Sequence, residues 1–342
     1  MKKLLIVDVV APYEYNFEII KNKGLGASES YLLSVANELK KTFDVDITTS
    51  KVRYSYQQND IVFKKMSPAD WSRDYDTIII QRSPKNVKFL RDLYPKANLI
   101  VWLHDFFEAS EWATMSKKDV EYILSECTLV CVSKWHKENF ELNFKLRKIK
   151  NADIQYNHFF INAPDIPENL KVDPFKLCFM SAGHKGMEQT LAVFKHIYKR
   201  DNRFKLYIAN PTYDQEYNLE NNDGVINLGS ISRDEVMKHM KESLCCLHLN
   251  KEYPETFGCV NAESNLMGTP VLAYNLGATP EILDLPFVYD QILEPYQYRV
   301  DPNELTLIIK TLLSWQKDRP AVKLNPRLNK EKIMKKWIEI IS

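Results

Sequence analysis

This chain of 342 residues lacks any long hydrophobic run. None reaches the ~18–20 apolar residues needed to cross a bilayer, which argues against an integral membrane protein. It also lacks an excess of charge of either sign. Lysine plus arginine number 46 and aspartate plus glutamate 45, for a formal net charge of +1. No global basic field therefore points to nucleic acid, and neither an RNA-binding motif nor zinc-finger spacing is present. The six cysteines, Cys127, Cys131, Cys178, Cys245, Cys246 and Cys259, show no paired metal spacing. Most lie in apolar, strand-like runs, as small buried thiols of a reducing cytosol do, so a cytoplasmic protein is expected. The opening residues MKKLLIVDVV have the basic start of a signal peptide without its length. Their apolar run is broken by Asp8 and no small-residue cleavage site follows, so they read as a first buried strand. Repeats and low-complexity tracts are absent. Disorder is excluded by the supply of side chains for burial, 45% hydrophobic and 12% aromatic.

What the chain does have is alternation, at a length natural for two domains. Candidate strands are Leu4–Val9, Val45–Thr49, Thr77–Gln81, Leu99–Leu103, Leu129–Val132 and Ile154–Tyr156. Amphipathic helices fit between them at Ser28–Lys41, Val87–Tyr94, Lys117–Glu126 and Lys134–Phe144. Near-continuous apolar strands separated by helices predict a parallel sheet covered on both faces. The polar, Pro-rich stretch ending at Pro174 reads as a linker over 163–174. Alternation restarts with strands at Phe175–Ser181, Lys205–Ala209, Val225–Leu228, Leu244–Leu249 and Val271–Tyr274. Helices near Met187–Arg200, Arg233–Glu242 and Gly258–Met267 separate them. The expected fold is α/β, with two doubly wound, Rossmann-like domains over 1–162 and 175–320. The closing segment 321–342 contains a helix, Asn329–Ile341, whose Ile333, Trp337, Ile340 and Ile341 form an apolar stripe that must pack on something. Ligands of such sheets bind outside the carboxyl ends of the strands.

The most informative stretch is 253–283, YPETFGCVNAESNLMGTPVLAYNLGATPEIL. Glu255 lies on a loop, and Glu263, eight positions on, lies on a short helix. The run Thr256-Phe257-Gly258-Cys259-Val260 spans the expected helix start, where free backbone N–H groups can receive sugar hydroxyls or phosphate oxygens. Glu255 could accept hydrogen bonds from sugar hydroxyls, and Glu263 could hold a ribose through its paired hydroxyls. A second turn, Ser181-Ala182-Gly183-His184-Lys185-Gly186, follows a strand with small residues and one fixed cation. Lys185 is placed to stabilise a departing diphosphate. His104 ends the strand Leu99–Leu103, where an α/β site would put it. The glycines Gly24 and Gly26 do not follow the first strand directly, which counts against a dinucleotide fingerprint. Asp44-Val45-Asp46 spells D-x-D at the amino end of a strand, the wrong end for a site, and reads as coincidence. The basic, aromatic stretch Lys134–Lys150 fits either a solvated surface helix or a face for a membrane surface or an anionic lipid-linked acceptor.

Together these segments resemble the retaining glycosyltransferases of family 4, which have the GT-B fold. That family's signature, E-x-F-G-x-x-x-x-E followed by a G-x-P-V strand and a G-x-x-E loop, is matched by Glu255, Phe257, Gly258, Glu263, Gly268, Pro270, Val271, Gly277 and Glu281. The resemblance implies that His104, Lys185 and Glu255 are catalytic. It implies donor-binding roles for Gly26, Ala27, Ser181, Gly183, His184, Thr256, Phe257, Gly258, Cys259, Val260 and Glu263. The family usually pairs an Arg with the Lys of the phosphate loop. Here only Lys185 stands in it, as in relatives with a shortened, single-cation loop.

The expected reaction moves a sugar from a nucleoside-diphosphate donor to a hydroxyl of a glycan or glycolipid acceptor, with retention. By the resemblance it needs neither metal nor other cofactor, and the final helix crosses back onto the first domain. Rival readings are a catalytically weak nucleotide-sugar-binding subunit and a sugar-nucleotide epimerase or phosphorylase on the same fold.

Overall fold

The computed structural model describes residues 1–22, 25–67, 73–144, 152–154, 166, 169–210, 219, 222–283, 288–289 and 302–342. The chain divides into two compact units. One comprises Met1–Phe17, Ala27–Ile161 and Arg327–Ser342, and the other Glu18–Gly26 and Asn162–Pro326.

The strands of the first unit are β1 (Lys3–Asp8), β2 (Asp44–Thr49), β3 (Tyr56–Gln58), β4 (Ile61–Lys64), β5 (Thr77–Gln81), β6 (Asn98–Trp102), β7 (Cys127–Cys131) and β8 (Ala152–Ile154). They form one sheet in the order β3-β4-β2-β1-β5-β6-β7-β8. All neighbours are parallel except the hairpin β3–β4. The order runs outward from β1 on both sides, the doubly wound pattern, and places the topological switch between β1 and β5. Helices on both faces explain the continuous apolar strands: β5 is buried at all five positions and β1 at all but Lys3.

The hairpin β3–β4 was not among the expected elements, because its strands are short and half polar. It is made by Asn59 and Asp60, both with positive φ (51° and 58°), as a two-residue hairpin turn demands. The remaining strands and helices of this unit fall within about two residues of the expected bounds. Of the expected strand Ile154–Tyr156, only Ile154 is among the described residues, and it ends β8.

The helix Lys330–Ile341 belongs to the first unit. Asn329 caps it, accepting from Lys332 N–H at 3.0 Å. Ile333, Trp337 and Ile341, spaced by four, are buried. Trp337 meets Trp102 of β6 edge to face at 4.8 Å between ring centroids. Thr77 Oγ1 of β5 donates to the Ile341 carbonyl at 3.1 Å, and Lys330 Nζ pairs with Glu38 at 2.6 Å.

The second unit has β9 (Asp173–Phe179), β10 (Lys205–Ala209), β11 (Val225–Gly229), β12 (Ser243–His248), β13 (Val271–Tyr274) and β14 (Val288–Tyr289). Their order, β11-β10-β9-β12-β13-β14, is all parallel and repeats the doubly wound pattern, with the switch between β9 and β12. Of the expected linker, 163–165, 167 and 168 lie outside the described residues. Its last two positions, Asp173 and Pro174, already open β9. Proline can enter this central strand because the register against β12 shifts there, between Ser243 and Cys245, so no ladder N–H is required of it. Among the described residues none of the six cysteines is in a disulfide, and only Cys259 is not buried.

Trp337 is fully buried against Trp102, so Trp337→Ala opens a cavity worth about 3–5 kcal/mol. The expected outcome is an earlier first-unit transition in urea, followed by the fluorescence of the remaining tryptophans. An unchanged transition would show that the terminal helix adds nothing to that core.

Candidate active site

The second unit places its candidate residues at its switch point. The strand β9 runs out into Met180 and the turn 181–186, and the helix Met187–Arg200 begins after it. Gly186 caps that helix at φ 94°. A Cβ there would lie 2.6 Å from the Leu249 carbonyl oxygen and 2.7 Å from Asn250 Cα, so only glycine allows the turn to press against the end of β12. Ser181, Ala182 and Gly183 are buried, while His184 is exposed and meets the Tyr253 ring edge to face at 5.5 Å.

That packing brings Lys185 to Glu255. Lys185 Nζ lies 3.0 Å from Glu255 Oε2, with the two side chains 31% and 12% exposed. On the other oxygen, Glu255 Oε1 lies 3.9 Å from Nε2 of His248, the last residue of β12. Burial by itself would raise the Glu255 carboxyl, but Lys185 outweighs it and holds the group below its ordinary value. Glu255 is therefore a charged acceptor in a nearly dry setting.

The loop after β13 supports this arrangement. Ala278 N–H donates to the Glu255 carbonyl at 2.8 Å. Gly277, at φ 63°, comes so close that a Cβ would sit 2.5 Å from Glu255 O and 2.6 Å from Glu255 N. The second glycine loop thus clamps the backbone of Glu255. Thr279 is the first residue of the next helix. Its hydroxyl is used sideways, accepting from Asn261 Nδ2 at 3.3 Å.

The helix Cys259–Leu266 starts from Gly258, at φ 86°. Cys259 and Val260 form its first turn, Phe257 is buried beneath it, and Thr256 is half-buried. Two turns along, Glu263 is buried and accepts from Arg233 Nε at 3.1 Å. Burial raises its carboxyl despite Arg233. Arg233 itself stands in the first turn of a helix fixed by a capping box between Ser232 and Glu235.

The first unit has a polar cluster of its own at the carboxyl ends of its strands. Arg82 follows β5 with φ 64°, an uncommon conformation for a non-glycine residue. Its guanidinium reaches Asp8 of β1 at 3.1 Å and Glu29 at 2.7 Å, both carboxylates being buried. Tyr15 Oη donates to Asp8 at 2.9 Å. Glu29 lies on the helix that begins at Ala27, and its carboxylate is spent on Arg82. Gly26 is buried and falls in the segment counted with the second unit.

His104 follows β6 with its ring 4.6 Å from that of Trp102. Burial, with the cation of Arg82 and with His136, drives its imidazole well below its ordinary value, so it is neutral. His136 is buried and neutral too, pushed down to about 4 by burial against the opposing pull of the Asp105 carbonyl. Its Nε2 donates to that carbonyl at 2.9 Å, and its Nδ1 accepts from Val132 N–H at 3.4 Å. It pins the residue beside His104.

Two further sequence features have structural explanations. The D-x-D acids are neutralised locally: Arg73 reaches Asp44 and Asp46, and Lys64 pairs with Asp46 at 3.2 Å. In the helix Lys134–Asn143, His136 and Phe140 turn inward and, with Phe144, join an aromatic cluster with Phe107 and Trp112. The basic positions 145–150 lie outside the described residues. Among the described residues no helix is long and apolar enough to cross a membrane, and no cluster of histidine, cysteine and carboxylates is placed to hold a metal.

Sequence reasoning missed Arg233, His248, Asn261 and Arg82. His248 had a readable signal, a polar residue closing an otherwise apolar strand at the ligand-binding end. Arg233 sits behind a legible S-x-x-E start. Nothing local marks Arg82 or Asn261.

Residues 165–328, which include Lys185, Glu255 and Glu263, match the model of the family described as Glycosyl transferases group 1. No curated protein sequence matches the chain. HepE of Anabaena, solved in complex with UDP and glucose, superposes with a TM-score of 0.66 at 16% identity, over 99% of both chains. Sucrose-phosphate synthase of Thermosynechococcus elongatus gives 0.69 at 14% identity, over 99% of this chain and 98% of that one. AviGT4, a glycosyltransferase involved in avilamycin A biosynthesis, gives 0.61 at 14% identity, over 100% and 97%. At these identities the likeness is one of fold: two Rossmann-like domains, the GT-B architecture.

Two outcomes are expected. Gly277→Ala combines a left-handed backbone with an overlap against Glu255. It should lower the melting temperature by the several degrees that about 1–2 kcal/mol represents; an unchanged melt would show that the loop does not clamp Glu255. The second concerns acid. Glu255 titrates below its ordinary 4.5, so its stabilising contribution is complete above about pH 4.5 and is lost as pH falls through the depressed value. Lys185→Met removes the principal cation and raises the carboxyl. Acid unfolding followed by circular dichroism should then begin at a higher pH than in the wild type.

Proposed function

We propose that this protein is a glycosyltransferase that moves a sugar from a nucleoside-diphosphate sugar to an acceptor hydroxyl, with retention of anomeric configuration. The observation that carries the reading is the Lys185–Glu255 pair at the switch point of a sheet whose sequence matches Glycosyl transferases group 1. UDP is the first base to test, since HepE was solved with UDP and glucose.

Each residue then has a physical task. The charge that develops when the glycosyl bond breaks is the negative charge of the departing diphosphate, and Lys185 is the cation that offsets it. Glu255, kept ionised by Lys185, accepts hydroxyl protons of the sugar and so fixes the ring against the leaving group. The backbone N–H groups at Cys259 and Val260 open a helix toward the phosphates. Glu263, oriented by Arg233, accepts from the ribose. Ser181, Gly183, His184, Thr256 and Phe257 shape the pocket around these groups; for Gly26 and Ala27 a donor-binding role rests on the resemblance. For neutral His104, which can accept or donate a hydrogen bond, a catalytic role rests on the resemblance. No metal is invoked, because Lys185 supplies the positive charge. The acceptor is a glycan or glycolipid hydroxyl, and the cytosol, at a membrane face where Lys134–Lys150 engages lipid, is the proposed location.

The single-cation loop also favours a second reading, a subunit that binds the donor and does not turn it over. The two separate cleanly. Thermal shift against UDP-, GDP- and TDP-sugars should show stabilisation by one base series. Turnover with that donor should fall by about 10²–10³-fold in Glu255→Gln and in Lys185→Met. The product's anomeric configuration, read by proton NMR, should match the donor's. Binding without turnover in the wild type would favour the second reading, and no binding to any series would remove both.

A further inference from the structure

His248 is buried, 2% exposed, at the end of β12. Its Nδ1 faces Asn261 Oδ1 at 3.0 Å. At the other end of the same amide, Asn261 Nδ2 donates to Thr279 Oγ1 at 3.3 Å. An amide oxygen only accepts, so Nδ1 carries the ring proton and Nε2 is a bare acceptor. Among the described residues Nε2 has no hydrogen-bond partner. What it faces is Glu255 Oε1 at 3.9 Å, too far for a hydrogen bond and an acceptor itself. The second oxygen of Glu255 is occupied by Lys185 at 3.0 Å.

Nε2, buried, and Glu255 Oε1, on a side chain 12% exposed, therefore stand side by side with no donor between them, an arrangement that costs free energy until a ligand supplies protons. A single sugar hydroxyl has one proton and satisfies one of them. Two hydroxyls on neighbouring ring carbons satisfy both, because their oxygens lie close enough for each to reach its own acceptor. We propose that His248 and Glu255 together read a vicinal diol of the transferred sugar, His248 Nε2 accepting one hydroxyl proton and Glu255 Oε1 the adjacent one. The inference rests on the donor-sugar reading of this site and assigns His248 as a specificity-determining residue. It predicts selection against deoxy sugars at either of two neighbouring positions, since a site built around a hydroxyl leaves its own acceptor stranded when that hydroxyl is missing.

The test uses the full chain with UDP-glucose and its 2-, 3- and 4-deoxy analogues. The wild type should lose at least about tenfold in kcat/KM on two adjacent deoxy analogues and less on the third. His248→Phe should lose a similar factor on UDP-glucose, yet lose nothing further on the one analogue lacking the hydroxyl it reads. Glu255→Gln, on top of its larger loss of turnover with UDP-glucose, should lose nothing further on the analogue that lacks the adjacent hydroxyl. An equal loss by His248→Phe on every donor makes the residue structural and overturns the inference while the donor reading stands. Nitrogen-15 NMR of the histidine rings gives a ligand-free arm. The Nδ1–H tautomer is expected for His248 in the free protein, and an Nε2–H ring donating to Glu255 overturns the inference alone. Failure of the wild type to bind UDP-glucose removes the donor reading for this sugar and the diol assignment with it.

Discussion

A carboxylate that remains charged where little water reaches it is the constraint on which the second unit is organised. Glu255 lies on a loop, and a loop does not hold an ion in place unaided. Its charge is balanced by Lys185 at 3.0 Å, and that lysine arrives only because Gly186 lets its turn rest on the end of β12. The carboxylate's backbone is held by the close approach of Gly277 and by the Ala278 N–H. Remove any one of these and the group is either left unbalanced or free to wander, and burial then favours its protonated form. The glycines here are thus electrostatic devices at one remove: they set distances that a Cβ would forbid.

The first unit solves a related problem differently. Asp8 and Glu29 are both buried, and one guanidinium, Arg82, serves the two of them from a left-handed backbone position. Its positive charge also helps to keep His104 neutral. Each unit therefore gathers its ionisable groups at the carboxyl ends of its central strands, where the doubly wound order leaves a crevice. The sheets supply the position, and the loops that follow them supply the chemistry.

The architecture was legible because parallel strands buried on both faces write an unbroken apolar run, and most such runs were placed within two residues. The hairpin at β3–β4 was not, since Tyr56–Gln58 carries no apolar run and the Asn59–Asp60 turn alone marks it. Of the candidate site, the acids and the lysine could be named from their motif. Their partners could not, because partnership depends on register across the sheet. His248 meets Glu255 and Asn261 only when β12 ends beside the loop that follows it, and Arg233 meets Glu263 across thirty positions of chain. Pro174 shows the opposite error. A residue that reads as linker is tolerated inside β9, because a shift in register spares it the ladder bond.

The docking of the helix Lys330–Ile341 on the first unit carries a consequence for how the molecule is made. Thr77 bonds to Ile341, and Trp102 meets Trp337 edge to face, so the core of that unit draws on residues far apart in the chain. During synthesis those last residues emerge after the whole second unit has been made. The unit that begins first is thus completed last, and the face of β5 and β6 awaits its cover while its neighbour folds. Pairings separated so far in sequence are slow to close, which makes the interval before the chain's last turn of helix the period of greatest exposure for the first unit's apolar surface.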